Sequence, residues 1–307
     1  MADNIVEEIL DLKEQRNAVI LAHNYQRGEV QDIADFVGDS FGLSREAARS
    51  SASVIVFCGV DFMAESAAIL SPDKTVLIPE PGARCPMAAM ITPEELRGIK
   101  KEHPHAAVVC YVNTSASVKA ESDICCTSAN AVKIVNSLAE KEVIFVPDQN
   151  LAHYTQAHTT KKIIPWKGYC PTHHLILPGD VLLEKEEHPQ AEILVHPECR
   201  PEVVELADQV LSTGGMLKYV SSSPSREFII GTEIGLLYQL EKQNPNKKFY
   251  PATPYVVCPN MKLTTLESIL NSLRHNQHVI RLPREVRLKA KKALDRMLEV
   301  GRGESLP

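Results

Sequence analysis

Cysteine followed by proline occurs three times in this chain, at Cys85-Pro86, Cys170-Pro171 and Cys258-Pro259, at intervals of 85 and 88 residues. The residues downstream are alike: Met90-Ile91 and Leu96, Leu175-Ile176 and Val181, Leu263-Thr264 and Ile269. Self-similarity at a fixed period signals a repeated structural unit and constrains the architecture more than any local pattern. Short β-rich apolar runs follow the same period, at 19–22, 54–57 and 76–78, at 107–112, 143–146 and 163–164, and at 193–195, 228–230 and 249–250. Helical patterns at 29–36, 129–138 and 202–211 lie between them. Strand alternating with helix means βαβ units with a parallel sheet.

The expected fold is therefore α/β, with three homologous three-layer units around a pseudo-threefold axis and a central active site. The units are placed at 1–88, 89–174 and 175–260. Residues 261–307 form a C-terminal helical segment, with helical patterns at 264–273 and 284–298 and a turn at 274–277. In open α/β sheets ligands bind beyond the carboxyl ends of the strands, and those ends carry polar residues at matching points. The first strands run into His23-Asn24-Tyr25, Tyr111-Val112-Asn113 and His196-Pro197-Glu198. Hydroxyls follow at Ser40, Ser128 and Thr213, and the second strands end near Asp61, Asp148 and Thr232.

Bulk properties exclude several classes. A formal charge of −6 with no long basic run gives no footprint for nucleic acid. The apolar runs are too short to span a bilayer and the first residues do not read as a signal peptide, so a cytoplasmic location is expected. Eight cysteines without a Cys-x-x-Cys pair argue against zinc ribbons, thioredoxin-type pairs and ferredoxin loops. A metal site must gather ligands from distant segments.

The repeated trio Cys85, Cys170 and Cys258 suits this. Soft thiolates favour zinc, copper(I) or iron–sulfur clusters, and three of them leave one coordination position free. A three-cysteine zinc hydrolase, with His173 or His174 completing the site, is an alternative; a non-enzymatic iron–sulfur or oxygen sensor is another. Cys58, Cys110, Cys125, Cys126 and Cys199 have no threefold equivalents and read as small buried hydrophobes. Ser40, Ser128 and Thr213 are expected near helix starts, where a cap stabilises by about 1 kcal/mol and free N–H groups favour anions. The run Ser212-Thr213-Gly214-Gly215 strengthens the anion reading. The acid–base candidates are His23, Tyr25, Tyr111, His196 and Glu198, the last provided that the cavity raises its pKa. Asn113 and Tyr111 are candidates to orient a carbonyl or carboxylate.

Taken together, His23-Asn24-Tyr25, Gly38-Asp39-Ser40, Tyr111-Val112-Asn113, Thr127-Ser128-Ala129-Asn130, Pro147-Asp148-Gln149-Asn150-Leu151-Ala152, His196-Pro197-Glu198-Cys199, Ser212-Thr213-Gly214-Gly215-Met216 and Asn260-Met261-Lys262 resemble quinolinate synthase, in order, from about residue 15 to 300. The resemblance implies one four-iron, four-sulfur (4Fe-4S) cluster per chain, held by Cys85, Cys170 and Cys258. It implies a transferase of NAD biosynthesis that condenses iminoaspartate with dihydroxyacetone phosphate, losing phosphate and two waters, to give quinolinate. By motif match His23, Tyr25, Ser40, Tyr111, Asn113, Ser128, His196, Glu198, Ser212 and Thr213 line the substrate cavity, with Glu198, Tyr25 and His23 moving protons. An oxidase or dehydrogenase is implied as the source of the unstable iminoaspartate. Some relatives carry Cys-x-x-Cys-x-x-Cys near the third ligand. Only Cys258 stands there in this chain, so no thiol switch is expected at that point.

Overall fold

The run Val54-Ile55-Val56-Phe57-Cys58 is apolar at every position, as required of a strand buried on both faces of a parallel sheet. Equivalent runs build three four-stranded sheets in this computed structural model, which describes residues 2–302. Met1 and residues 303–307, the ends of the first and last expected segments, lie outside the described residues. The first sheet contains β1 (Ala18–His23), β2 (Phe36–Gly38), β3 (Val54–Cys58) and β4 (Thr75–Leu77). The second contains β5 (Ala107–Tyr111), β6 (Ile124–Cys126), β7 (Glu142–Val146) and β8 (Lys162–Pro165). The third contains β9 (Glu192–Val195), β10 (Gln209–Val210), β11 (Glu227–Gly231) and β12 (Lys248–Pro251). All pairings are parallel, and the strand orders β2-β1-β3-β4, β6-β5-β7-β8 and β10-β9-β11-β12 are the same.

Each unit thus has four strands where the pattern predicts three. The additional ones, β2, β6 and β10, are two or three residues long. β2 and β10 cut short the helical patterns predicted at 29–36 and 202–211; the helices there are Gly28–Asp32 and Pro201–Val204. A contact with the first strand, 15 residues earlier in the chain, explains the cut. Asp35, Asp123 and Asp208 each accept a hydrogen bond from the main-chain N–H of the unit's first strand, at Ile20, Val108 and Ile193, over 2.8, 2.7 and 2.8 Å. An aspartate tied to the first strand draws the chain out of the helix and into the sheet edge. A second repeated device closes one helix in each unit. Lys74, Lys161 and Lys247 donate to the carbonyls of Ala47 and Ser50, of Leu138 and Glu140, and of Val220 and Ser223. An ammonium at the carboxyl end of a helix satisfies its last free acceptors and offsets its dipole.

Phe57, Phe145 and Phe228 come from the third strand added in each sheet and belong to one continuous apolar core. Helix Arg284–Arg302 buries Ala290, Ala293, Leu294, Met297 and Val300 in that core, packing on β6 and on helices Asp61–Leu70 and Ala116–Lys119. It therefore packs across the first two units. Helix Leu266–His275 starts two residues later than expected because Thr265 caps it, and it ends at Asn276 in the left-handed region. No described helix is long and apolar enough to cross a membrane.

Candidate active site

The carboxyl ends of the strands from all three sheets face one cavity of about 160 Å³. From the first unit His23, Tyr25, Ser40 and Cys85 line it. Tyr111, Asn113, Ser128 and Cys170 do so from the second, and His196, Glu198, Thr213 and Cys258 from the third. Ser212 is not among the lining residues. Its hydroxyl caps helix Thr213–Ser222 by accepting from Gly215 N–H at 3.1 Å, and donates to Asp39 Oδ2 at 3.3 Å.

The hydroxyls expected as caps are not the caps. Asp39 caps helix Ser40–Arg49, accepting from Gly42 N–H at 2.8 Å, and Ser212 caps the equivalent helix, so Ser40 and Thr213 occupy the first helical position. Ser128 lies in the turn before helix Ala131–Ser137, where Asn130 Oδ1 accepts from Thr127 N–H at 2.7 Å. The hydroxyls of Ser40, Ser128 and Thr213 are thus not spent on capping their helices. Asp39, itself a lining residue, approaches the third unit so closely that a Cβ on Gly214 would lie 2.6 Å from its Oδ2. Glycine is needed at 214 for that contact.

His23 and His196 share one local device. Each ring accepts through Nδ1 the main-chain N–H two residues on, Tyr25 N at 3.2 Å and Glu198 N at 3.3 Å. That fixes the neutral tautomer with the proton on Nε2. For His196 this proton is directed to Ser128 Oγ at 3.1 Å. Burial lowers both imidazoles to about 3, although the Glu198 charge raises them. They are therefore neutral donors at physiological pH. Among the described residues that line the cavity there is no lysine or arginine. Anionic ligands must be held by neutral donors, helix starts and any bound cation.

This has a consequence for stability. Unfolded histidine titrates near 6.5, whereas the folded state resists protonation of His23 and His196 down to about 3. Their contribution is complete above pH 6.5 and is lost as pH falls below it, at about 1.4 kcal/mol per pH unit for each ring. Glu198, held low when folded, loses its contribution only below about 4.5. In urea unfolding the parent should therefore lose about 1.2 kcal/mol more than His23→Gln between pH 6 and 5; the difference isolates the ring from buried carboxyls such as Asp148, which burial raises and which act in the opposite sense. Parallel profiles for parent and variant would contradict neutral burial of His23.

Glu198 sits at the centre of the polar network. Its Oε1 accepts from Tyr111 OH at 2.5 Å and from Asn113 Nδ2 at 3.4 Å; its Oε2 lies 2.7 Å from His173 Nδ1. Asn150 Nδ2 donates to its main-chain carbonyl at 3.0 Å. The sequence reading requires a raised pKa for Glu198, and the site does the reverse. Burial alone would raise it, but the His173 and His196 rings and the hydrogen bonds from His173 and Tyr111 outweigh burial and hold it at about 2. It is a carboxylate, and its partners make it so.

On the other side of His173, Nε2 lies 2.8 Å from Thr232 Oγ1, which lies 2.6 Å from Tyr25 OH. With Nδ1–H donating to Glu198, Nε2 is an acceptor for Thr232, and Thr232 Oγ1 for Tyr25. Burial and the Glu198 charge raise Tyr25 and Tyr111 well above ordinary phenols, so both carry their protons at rest. A continuous chain Tyr25–Thr232–His173–Glu198 results, drawn from all three units. Thr232 and the role of His173 were missed by motif reading. A signal existed: Thr232 falls at the second-strand end, and His173 three residues after a repeated cysteine.

The three repeated cysteines are only partly buried, while the other five are buried and none of those lines the cavity. Burial raises the Cys85 thiol to about 12 and pushes Cys170 and Cys258 upward too. Thiols in such surroundings become thiolates only with a bound cation. Their spacing is informative as well. Among the described residues, the donor atoms at the site that converge within 4.8 Å are those of Cys170, His173 and Glu198, and the three sulfurs do not form such a group. A single zinc ion, at about 2.3 Å from each sulfur, needs them closer together than that. Three thiols that line one cavity without converging on a single point have the donor chemistry of a polynuclear cluster site.

Comparison with known proteins gives a consistent result. The family described as Quinolinate synthetase A protein matches residues 7–299. A quinolinate synthase of Methanosarcina barkeri is 63% identical over 296 residues, covering 96% of this chain and 97% of that protein. One from Thermodesulfovibrio yellowstonii is 58% identical over 299 residues, covering 97% and 99%.

Proposed function

The chain belongs to the quinolinate synthase family, and from that premise we propose that it condenses iminoaspartate with dihydroxyacetone phosphate to form quinolinate, phosphate and two waters, as a transferase of NAD biosynthesis. The observation that carries this reading is the meeting of Cys85, Cys170 and Cys258 in one cavity with the Glu198 network. The three units are then arranged about a pseudo-threefold axis through that cavity, and the substrates are small molecules. Iminoaspartate, a labile imine, comes from an amino-acid oxidase or dehydrogenase.

Cys85, Cys170 and Cys258 would hold a 4Fe-4S cluster. When bound, it supplies a Lewis-acidic iron with an open position toward a substrate oxygen. The remaining chemistry falls to side chains. Ser40, Thr213, the Nε2 proton of His23 and Ser128, whose hydroxyl accepts from His196 Nε2 and is left free to donate, orient carboxylate and phosphate oxygens without adding fixed charge. Asn113 and Tyr111 face the substrate from the second unit. Tyr25 removes a proton after passing its own through Thr232 to His173 Nε2, and the Glu198 carboxylate stabilises the resulting imidazolium. The same chain returns the proton to a departing hydroxyl. Closure of the cavity over bound substrates would exclude water from enamine-type intermediates.

Anaerobic purification tests this directly. The chain should be brown, with about four iron and four sulfide per protein, and should release a pyridine dicarboxylate from the two substrates. A colourless zinc protein, or a brown one that forms no quinolinate, would overturn the proposal.

A further inference from the structure

Behind the cavity, a buried ion pair ties the last cysteine segment to the strand end that carries Tyr25. Glu233, whose side chain is 0% exposed, accepts the main-chain N–H of Cys258 through Oε1 at 3.1 Å and that of Gly235 through Oε2 at 2.7 Å. Lys262 Nζ lies 2.9 Å from Glu233 Oε1 and donates as well to the main-chain carbonyl of Tyr25. Arg27 Nε returns a bond to Lys262 O at 2.9 Å. The convergence is tight: a Cβ on Gly235 would lie 2.7 Å from Glu233 Oε2, from Lys262 Nζ and from Tyr25 O alike.

The first unit has a simpler version. Asp61 Oδ1 accepts Cys85 N–H at 3.1 Å and Phe62 N–H at 2.9 Å, and no lysine pairs with it among the described residues. The carboxylate that fixes a cysteine amide is thus a recurring element. The lysine that carries the fixation across to Tyr25 belongs to the third unit.

We propose that Glu233 and Lys262 are a positioning pair, which sets the Cys258 sulfur in register with the Tyr25 hydroxyl. This rests on the cluster reading above. Glu233 fixes the amide of the ligand residue, and Lys262 fixes the main chain of the proton-transfer residue, so one ion pair determines the distance between the two halves of the chemistry. Neither residue lines the cavity.

A purely structural ion pair and a positioning pair respond differently to removal. Removing one partner of a buried pair leaves an uncompensated charge, whereas replacing both by neutral side chains is often neutral for stability. The double variant Glu233→Gln/Lys262→Met removes both charges together and should therefore melt above either single variant, with one amide oxygen left for the two main-chain N–H groups. It should nonetheless release iron to a chelator about tenfold faster, as when partners that orient a metal ligand are lost. Its kcat should fall on the order of 10²-fold with KM for dihydroxyacetone phosphate little changed, the expected result of an ångström-scale misplacement. Iron release and kcat both within twofold of the parent would overturn the proposal. Should the double variant not fold, Lys262→Arg decides. Arginine keeps the charge on Glu233, but its planar head does not reproduce the lysine contact with Tyr25 O. The same two shifts support positioning, and parent-like values overturn it. A parent that holds no iron would instead sink the cluster reading, and this pair's role with it. A loaded parent with unaffected variants sinks the pair's role alone.

Discussion

Changing Cys85, Cys170 or Cys258 singly to alanine is expected to abolish quinolinate formation, a loss on the order of 10³-fold or more, and to strip iron from the purified chain. The magnitude follows from the chemistry at risk. A Lewis-acidic metal supplies several kcal/mol of transition-state stabilisation, and each 1.36 kcal/mol is a factor of ten in rate. The three residues have no substitutes nearby. His173 Nδ1 lies 3.2 Å from Cys170 Sγ, but its ring is already committed to Glu198 and Thr232. Cys58→Ala and Cys126→Ala provide the control. Both thiols are fully buried, burial raises both, and neither lines the cavity, so truncation removes a little packing and no chemistry. Those variants should keep their iron and turn over within about threefold of the parent, at a stability cost of about 1 kcal/mol each. Parallel iron analysis and turnover on the five variants checks the set. An active, iron-loaded Cys170→Ala would end the three-thiolate assignment.

The repeat was legible because its markers are chemically distinctive. Three cysteines before proline, three polar strand ends and three hydroxyls keep one interval, and β-branched runs report buried parallel strands by composition alone. The short strands β2, β6 and β10 were not legible from periodicity, because two or three residues cannot show a period. Their signature lies elsewhere, in Asp35, Asp123 and Asp208 at intervals of 88 and 85. Lys74, Lys161 and Lys247, at intervals of 87 and 86, mark the helix ends in the same way.

The candidate site divides along a similar line. Residues on a repeated strand end were readable: His23, Tyr111 and His196 occupy equivalent positions, and all line the cavity. Residues whose contribution comes from a partner in another unit were not. Thr232 matters because Tyr25 lies 2.6 Å away, 207 positions earlier in the chain. Asp39 matters because Gly214 leaves room for it. The charge state of Glu198 was misjudged for the same reason. Burial acts on any buried carboxyl and could be anticipated, but His173 and Tyr111, which together with the neighbouring His196 reverse it, are supplied by tertiary contacts.

The low pKa of Glu198 leads to the most discriminating substitution, Glu198→Gln, expected to reduce kcat on the order of 10³–10⁴-fold while leaving the iron content unchanged. Glutamine is nearly isosteric, and its amide oxygen can still accept from Tyr111. Its amide nitrogen is a donor, however, and would face His173 Nδ1–H, where the carboxylate accepts at 2.7 Å. His173 relieves this by moving its proton to Nε2, and then can no longer receive the proton of Tyr25 through Thr232. The loss is thus of tautomer and of charge together, as when the buried carboxylate of a catalytic triad becomes an amide. KM should change little, because the carboxylate supports the relay and not the anionic groups of the substrates. Tyr25→Phe should be comparably impaired, and Tyr25→Phe/Glu198→Gln no worse than either alone, since both single changes interrupt one path. If the two losses multiplied, Tyr25 and Glu198 would be acting in separate steps, and the relay through Thr232 and His173 would have no part in turnover.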